Sequence, residues 1–353
     1  MLYFKDLGVR CVIIILCINM KKYLLISVKF LVSFLLIWVL FDQIDLGIAF
    51  DRAKAAKFWP LLFVLLVFVV QIAIGGGRWG FVLNAIGAPL KFFDTVKLFY
   101  IGGFFNQVLP SSVGGDAVRI FMSYKRGLSL SKAINGVMIE RIVTLAGLAV
   151  LCTLVLPGFI PKLDPITKQW VILIFPTLVF GLVVGIVFLS FLNRLPSSFE
   201  KFKIFRGLTY LASDTRSIFF NPKSLSAAIG LGVLTHVCIS TYVFGLGVSL
   251  DLELTWLDCL ILIPPVMLIT TMPISIAGWG VRETAMVIAM STIGVPDDAA
   301  LVLSILFGFS AIVFTLPAAL LWILNRSQAG KVSLDEIERT IKTSSTLGTR
   351  LHE

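Results

Sequence analysis

Long apolar runs separated by short polar segments dominate the chain. They are Leu24 to Phe41, Trp59 to Ile74, Ala133 to Leu156, Trp170 to Leu192, Leu225 to Val248 and Ala299 to Leu324. A helix needs about 20 mostly apolar residues to cross the hydrocarbon core. The pattern therefore predicts an all-α polytopic membrane protein with six full spans. Cys11 to Met20 is apolar but too short to span. Met20 followed by Lys21-Lys22 reads as a natural start, so residues 1–19 are expected to be an extension without a structural role. The first run is too long for a removed signal peptide and lacks a small-residue cleavage site. Residues 327–353 are polar, with a short helical pattern around Leu334 to Ile341, and read as a solvated cytoplasmic tail.

Composition agrees with this pattern. The chain is 58% hydrophobic and 14% charged, with a net charge of +10. In a soluble protein such a charge would suggest nucleic acid. Here the basic residues cluster in short loops between apolar runs, as the positive-inside rule requires, so no nucleic-acid partner is expected. The five cysteines form no CxxC pair and the two histidines join no ligand set, so neither metal nor cofactor is expected.

Lys21 and Lys22 place the N-terminus in the cytoplasm, and Arg326 after the last run places the C-terminus there as well. The loop at 193–223 holds six basic residues against Glu200 and Asp214. It reads as cytoplasmic and partly as an amphipathic helix on the membrane surface. The segment Asp42 to Phe58 is assigned outside, although it carries Arg52, Lys54 and Lys57.

Two further segments are related to each other. Around Pro110 the chain reads FFNQVLPSSVGGDAVRIF, and around Pro273 it reads MLITTMPISIAGWGVRETAM. Aligning the prolines pairs Ser112 with Ser275, Gly115 with Gly278, Val118 with Val281 and Arg119 with Arg282. Proline and glycine break helices, so each segment reads as half-helix, break, half-helix. The first begins and ends beside basic residues, the second beside acidic ones. Both then are re-entrant hairpins inserted from opposite sides. Residues 20–160 and 161–326 become two halves of one inverted repeat, an architecture of transporters that bind near the midplane.

The predicted chemistry lies at the breaks. The second half-helices begin near Gly115 and Gly278. Helix starts present free N–H groups and partial positive charge to an anion. Arg119 and Arg282 lie about one turn further on, and Ser112 and Ser275 offer hydroxyls. Together they suit a phosphate. The alternative is that both arginines snorkel to an interface. Asp116 and Glu283 are read as helix caps or arginine partners. Glu140-Arg141 sits eight residues into the third run. Ionisable residues at such depth are costly and usually functional, although a structural ion pair fits equally well. Adjacent helical positions do not face each other, so each needs another partner, with Asp116, Arg119 and Arg282 as candidates. His236 reads as an interhelical hydrogen-bonder or a proton relay. Arg78-Trp79 reads as an interfacial anchor or a lipid-headgroup contact. GGGRWG at 75–80 lacks a βαβ context and is not a nucleotide loop.

These residues resemble a known family, that of the transmembrane region of lysylphosphatidylglycerol synthases. The resemblance is carried by Arg78-Trp79, by FFNQVLPSSVGGDAVR together with Phe104, by Glu140-Arg141 and by GWGVRE at 278–283, and it extends from about Met20 to Arg326. In founding members this region looks like a flippase for an aminoacylated phospholipid, and a separate soluble domain performs aminoacyl transfer. With a polar tail of only 27 residues, from 327 to 353, synthase activity is not implied here. Stand-alone relatives are associated with envelope lipids, lipid-linked sugars or hopanoids. The resemblance thus implies lipid handling without fixing the substrate.

The expectation is a transporter of the bacterial cytoplasmic membrane that moves an anionic phospholipid or lipid-linked envelope precursor, with no catalytic set. Two alternatives stay open. One is a membrane transferase acting on a lipid-linked sugar or phosphate, with Asp116, Glu140 or Glu283 as base. The other is a non-catalytic partner of an envelope-lipid enzyme. Nothing in the pattern fixes the number of subunits.

Overall fold

The computed structural model describes residues 51, 54–108, 114–162, 165–192, 203–270 and 279–328. The first predicted span, residues 1–19, most of the tail, and Pro110, Ser112, Pro273, Ser275 and Gly278 lie outside them. Among the described residues there are ten α-helices and no strand. They are α1 (Phe58–Ala85), α2 (Phe92–Val108), α3 (Gly114–Lys125), α4 (Leu130–Phe159), α5 (Pro165–Phe191), α6 (Lys203–Phe219), α7 (Pro222–Ser249), α8 (Trp256–Thr270), α9 (Val281–Ser291) and α10 (Asp297–Gln328). Within α1, α4, α7 and α10, the stretches Phe58–Ala85, Leu130–Gly158, Pro222–Ser249 and Asp297–Leu324 are long and apolar enough to cross a membrane.

Local sequence explains where several helices begin. Ser129 caps α4 by accepting from the Lys132 N–H, and Asn221 caps α7 by accepting from the N–H groups of Lys223 and Ser224. Pro222 at the first helical position gives up a donor that would have had no partner there. By contrast α2, α3, α8 and α9 are short. At 1.5 Å per residue, the 17 residues of α2 reach about 25 Å and the 12 of α3 about 18 Å. Neither matches the ~30 Å hydrocarbon core.

α2 and α3 run back alongside each other. The Gly115 N–H donates to Asn106 Oδ1, and Gly102 packs on the Arg119 side chain. At the other end Asp94 of α2 meets Arg126, just beyond α3, at 3.4 Å. The pair is thus a hairpin whose two outer ends lie together.

The helix order repeats. The starts of α1, α2, α3 and α4 at 58, 92, 114 and 130 recur as those of α7, α8, α9 and α10 at 222, 256, 281 and 297. Packing repeats with it. α2 lies on α10 and α8 lies on α4, while α1–α2, α2–α3 and α3–α4 contacts recur as α7–α8, α8–α9 and α9–α10. The two corresponding helices α1 and α7 pack most extensively, and they run antiparallel. Lys57 meets Asp251 at 2.7 Å, Val64 lies on Gly245, Phe68 faces Tyr242, and Arg78 reaches Thr235. One apolar core gathers Val64, Phe68, Tyr242, Leu246, Met286 and Leu303. The Lys57–Asp251 pair puts the start of α1 beside the end of α7.

α4 and α7 approach closely at Gly147 and Gly232, where a side-chain carbon on Gly147 would lie 2.5 Å from the Gly232 carbonyl carbon. Small residues permit this backbone approach inside a membrane, where packing rather than water exclusion drives association. The expected surface helix is α6. Its apolar face is sunk into the core through Leu211, Ala212 and Ile218, and its Asp214 accepts from Lys132 and Asn135 of α4, each at 2.7 Å. It is tied to the bundle as well as amphipathic.

Candidate functional site: a buried arginine–carboxylate cluster

The sequence places the end of the second span at Arg78-Trp79, as an interfacial anchor or headgroup contact. The structure corrects this. α1 continues through the glycines, because they let α2 pack tightly: Val96 lies on Gly76 and Phe99 on Gly75. Arg78 is consequently carried inside, 2% exposed, and Trp79 is fully buried. Arg78 does not snorkel. Its Nε and Nη2 donate to Glu140 Oε1 and its Nη1 donates to Thr235 Oγ1 at 2.7 Å.

Glu140 is the hub. From α4 it accepts from Arg78 and, through Oε2, from Arg119 Nη1 at 3.1 Å, with Thr144 Oγ1 adding a bond at 3.2 Å. Arg141, one residue on, points elsewhere and donates to Asp116 Oδ2. Adjacent helical positions diverge, so the two neighbours serve different partners. Asp116, in the first turn of α3, accepts from Arg141 and from Arg119 Nη1, the latter at 3.4 Å. Asp116, Arg119, Glu140 and Arg78 are buried, whereas the Arg141 side chain is 43% exposed. Three guanidinium groups thus face two carboxylates, leaving one positive charge in excess.

Arg119 carries the excess. Its guanidinium stacks on Trp79 at 4.4 Å and on Phe99 at 4.9 Å. Such cation–π contacts help to hold a charge out of water. Its Nε and Nη2 are buried without a hydrogen-bond partner. Behind the cluster, His236 of α7 places Nε2 3.3 Å from the Thr144 carbonyl, the interhelical contact foreseen for it, while Nδ1 has no partner.

The second half is organised differently. Arg282 stacks on Trp279 at 4.7 Å, as Arg119 does on Trp79. Its Nε and Nη2 both donate to Glu283 Oε1, at 3.1 and 2.6 Å. Glu283 Oε2 accepts the Gly280 N–H, and Ser304 lies 3.4 Å from Oε1. Gly280 has φ +86°, a conformation that glycine tolerates and side chains resist. The Gly280 N–H thus meets the same carboxylate that pairs with Arg282. This site is charge-neutral. Among the described residues Arg119 and Arg282 share no ion-pair, hydrogen-bond or ring partner.

At each helix start one donor is already taken: Asn106 accepts the Gly115 N–H and Glu283 accepts that of Gly280. An unpaired donor away from water costs several kcal/mol, and the chain supplies its own acceptors.

A family model described as the lysylphosphatidylglycerol synthase TM region matches residues 26–319. The chain belongs to this family. A UPF0104 membrane protein of Methanocaldococcus jannaschii is 25% identical over 272 residues, covering 69% of this chain and 79% of the relative. The family match encloses every residue of both clusters.

Of the site residues read from the sequence, Arg78, Asp116, Arg119, Glu140 and Arg141 converge in one place, with Gly115 beside them. Arg282 and Glu283 form a second place. Ser112, Ser275 and Gly278 lie outside the described residues. Sequence reasoning missed Trp79 and Phe99 as the stacking faces of Arg119, Thr235 and Thr144 as hydroxyl partners, and Asn106 as the cap. The one available signal was the polar Thr235-His236 pair in the middle of an apolar run.

Proposed function

We propose that this protein is a lipid transporter of the bacterial cytoplasmic membrane, moving a lipid with an anionic headgroup between leaflets. The observation that carries the reading is the uncompensated, partly unpaired Arg119 inside a membrane-embedded cluster. Ionisable groups at such depth are expensive and mark substrate pathways. A net positive site of guanidinium groups suits a phosphate-bearing headgroup, while its acyl tails stay in lipid.

The fold supports the same reading. The antiparallel α1 and α7 and the reciprocal packing of α2 on α10 and α8 on α4 favour an inverted repeat. The short α2–α3 and α8–α9 pairs favour re-entrant hairpins, and rocking of the halves around them would alternate access. In this reading the chain has six full spans and both termini in the cytoplasm. No bond-making step is assigned, because Asp116, Glu140 and Glu283, the bases of a transferase reading, each engage an arginine.

Reconstituted into liposomes, the wild-type protein is expected to accelerate leaflet exchange of labelled phosphatidylglycerol well above that of labelled phosphatidylcholine. Exchange no faster than in protein-free liposomes, for either lipid, overturns the proposal.

A further inference from the structure

We propose that Asp116 is an internal stand-in for the substrate's phosphate, holding the anion site closed until a phosphate group displaces it from Arg119 and Arg141. The source of that phosphate rests on the transport reading, but the site itself is tested by binding alone.

The geometry points to exchange rather than to a fixed structural pair. Each oxygen of Asp116 is taken by a different arginine, Oδ1 by Arg119 and Oδ2 by Arg141. The Arg119 contact is long, at 3.4 Å, and it uses only Nη1. Nε and Nη2 of the same guanidinium stay buried and unpaired. Each oxygen of the Asp116 carboxylate already serves one arginine, and neither meets Nε or Nη2 of Arg119. A phosphate has oxygens to spare and can meet the remaining donors of Arg119 while keeping Arg141, in the bidentate manner guanidinium favours.

Three further features fit displacement. Asp116 lies in the first turn of α3, where the helix field favours whichever anion is present. Arg119 keeps Glu140 when Asp116 leaves, so the cluster does not collapse. Arg141 is the cluster member open to the outside, so the way in runs past the residue that must let go. A negative side chain already in place also refuses neutral and zwitterionic groups that cannot outbid it, which makes Asp116 a determinant of specificity.

The test uses purified full-length protein, with thermal unfolding followed during titration with inorganic phosphate at constant ionic strength. Asp116→Asn is expected to unfold at lower temperature than wild type without phosphate. It should be rescued by phosphate with a half-saturation at least about tenfold lower, corresponding to about 1.4 kcal/mol. Adding Arg141→Ala should remove the rescue. Doping the micelles with phosphatidylglycerol or phosphatidylcholine distinguishes the sources. Rescue by phosphatidylglycerol assigns the site to a lipid headgroup, and rescue by inorganic phosphate alone assigns it to the free ion.

A phosphate response in Asp116→Asn no larger than in wild type, or one that survives Arg141→Ala, overturns the proposal. If Asp116→Asn does not fold, the wild type decides. Millimolar phosphate should protect Arg141 from phenylglyoxal, read by peptide mass spectrometry, and unchanged reactivity refutes the site. Phosphate binding without leaflet exchange would leave this site standing and remove the transport reading.

Discussion

Glu140→Ala is expected to be the most destabilising single change in the first half of the protein. Glu140 accepts from Arg78, Arg119 and Thr144 inside the bundle. Its removal leaves Arg78 with only Thr235 and Arg119 with only its long contact to Asp116. Breaking a buried ion pair by deleting one partner costs about 3–5 kcal/mol, because the surviving charge is stranded. For a chain of 353 residues that corresponds to a fall of roughly 4–7 °C in thermal midpoint. Glu140→Gln retains an acceptor for one guanidinium and should fall in between. Thermal unfolding in mild detergent checks the order. A midpoint for Glu140→Ala within about 1 °C of wild type, less than 1 kcal/mol on the same scale, would mean that the cluster is not a structural hub.

The corresponding expectation in the second half is a comparable loss for Glu283→Ala, for a different reason. Glu283 holds two things at once: the guanidinium of Arg282 and the Gly280 N–H at the start of α9. Alanine there orphans a buried charge and uncaps a helix, for about 3–5 kcal/mol and about 1 kcal/mol respectively. The double substitution Glu283→Ala/Arg282→Ala removes the stranded charge and should recover a large part of the loss, leaving mostly the capping deficit. Unfolding of the two variants side by side measures this difference. A double variant no more stable than the single one would show that Arg282 is not what Glu283 compensates.

Much of the architecture was legible in the sequence, because it is written in hydrophobic runs and in proline and glycine, which act locally. The run from Leu225 to Val248 became α7, and α2 and α3, which flank the Pro110 segment, pack as a hairpin. The two motifs were aligned without reference to packing, and the described helices repeat at closely similar spacing. Charge was read less well. The glycines at 75–77 look like a span end, yet they are contact points for α2, and one misplaced end moved Arg78 and Trp79 from the core to the interface.

The helix starts were read only in part, for a related reason. Whether an N–H group is free depends on residues such as Asn106 and Glu283, whose distance in space cannot be read from the motif. Finally, the likeness of Arg119 and Arg282 suggested equal roles. Their tryptophans agree with that, but their counter-charges do not. Arg282 has a carboxylate of its own next door, whereas Arg119 shares Glu140 with Arg78 and Asp116 with Arg141.

This asymmetry singles out Arg119→Ala as the decisive variant. Asp116 keeps Arg141 and Glu140 keeps Arg78, so no carboxylate is stranded and the fold should survive, while the excess positive charge disappears. The measurement is leaflet exchange of labelled phosphatidylglycerol in liposomes carrying equal amounts of folded wild type or Arg119→Ala. The account predicts acceleration by the wild type and a rate at least about tenfold lower for the variant, as expected when a charge-assisted contact of about 1.5–3 kcal/mol is lost. Equal rates from the two proteins would contradict it.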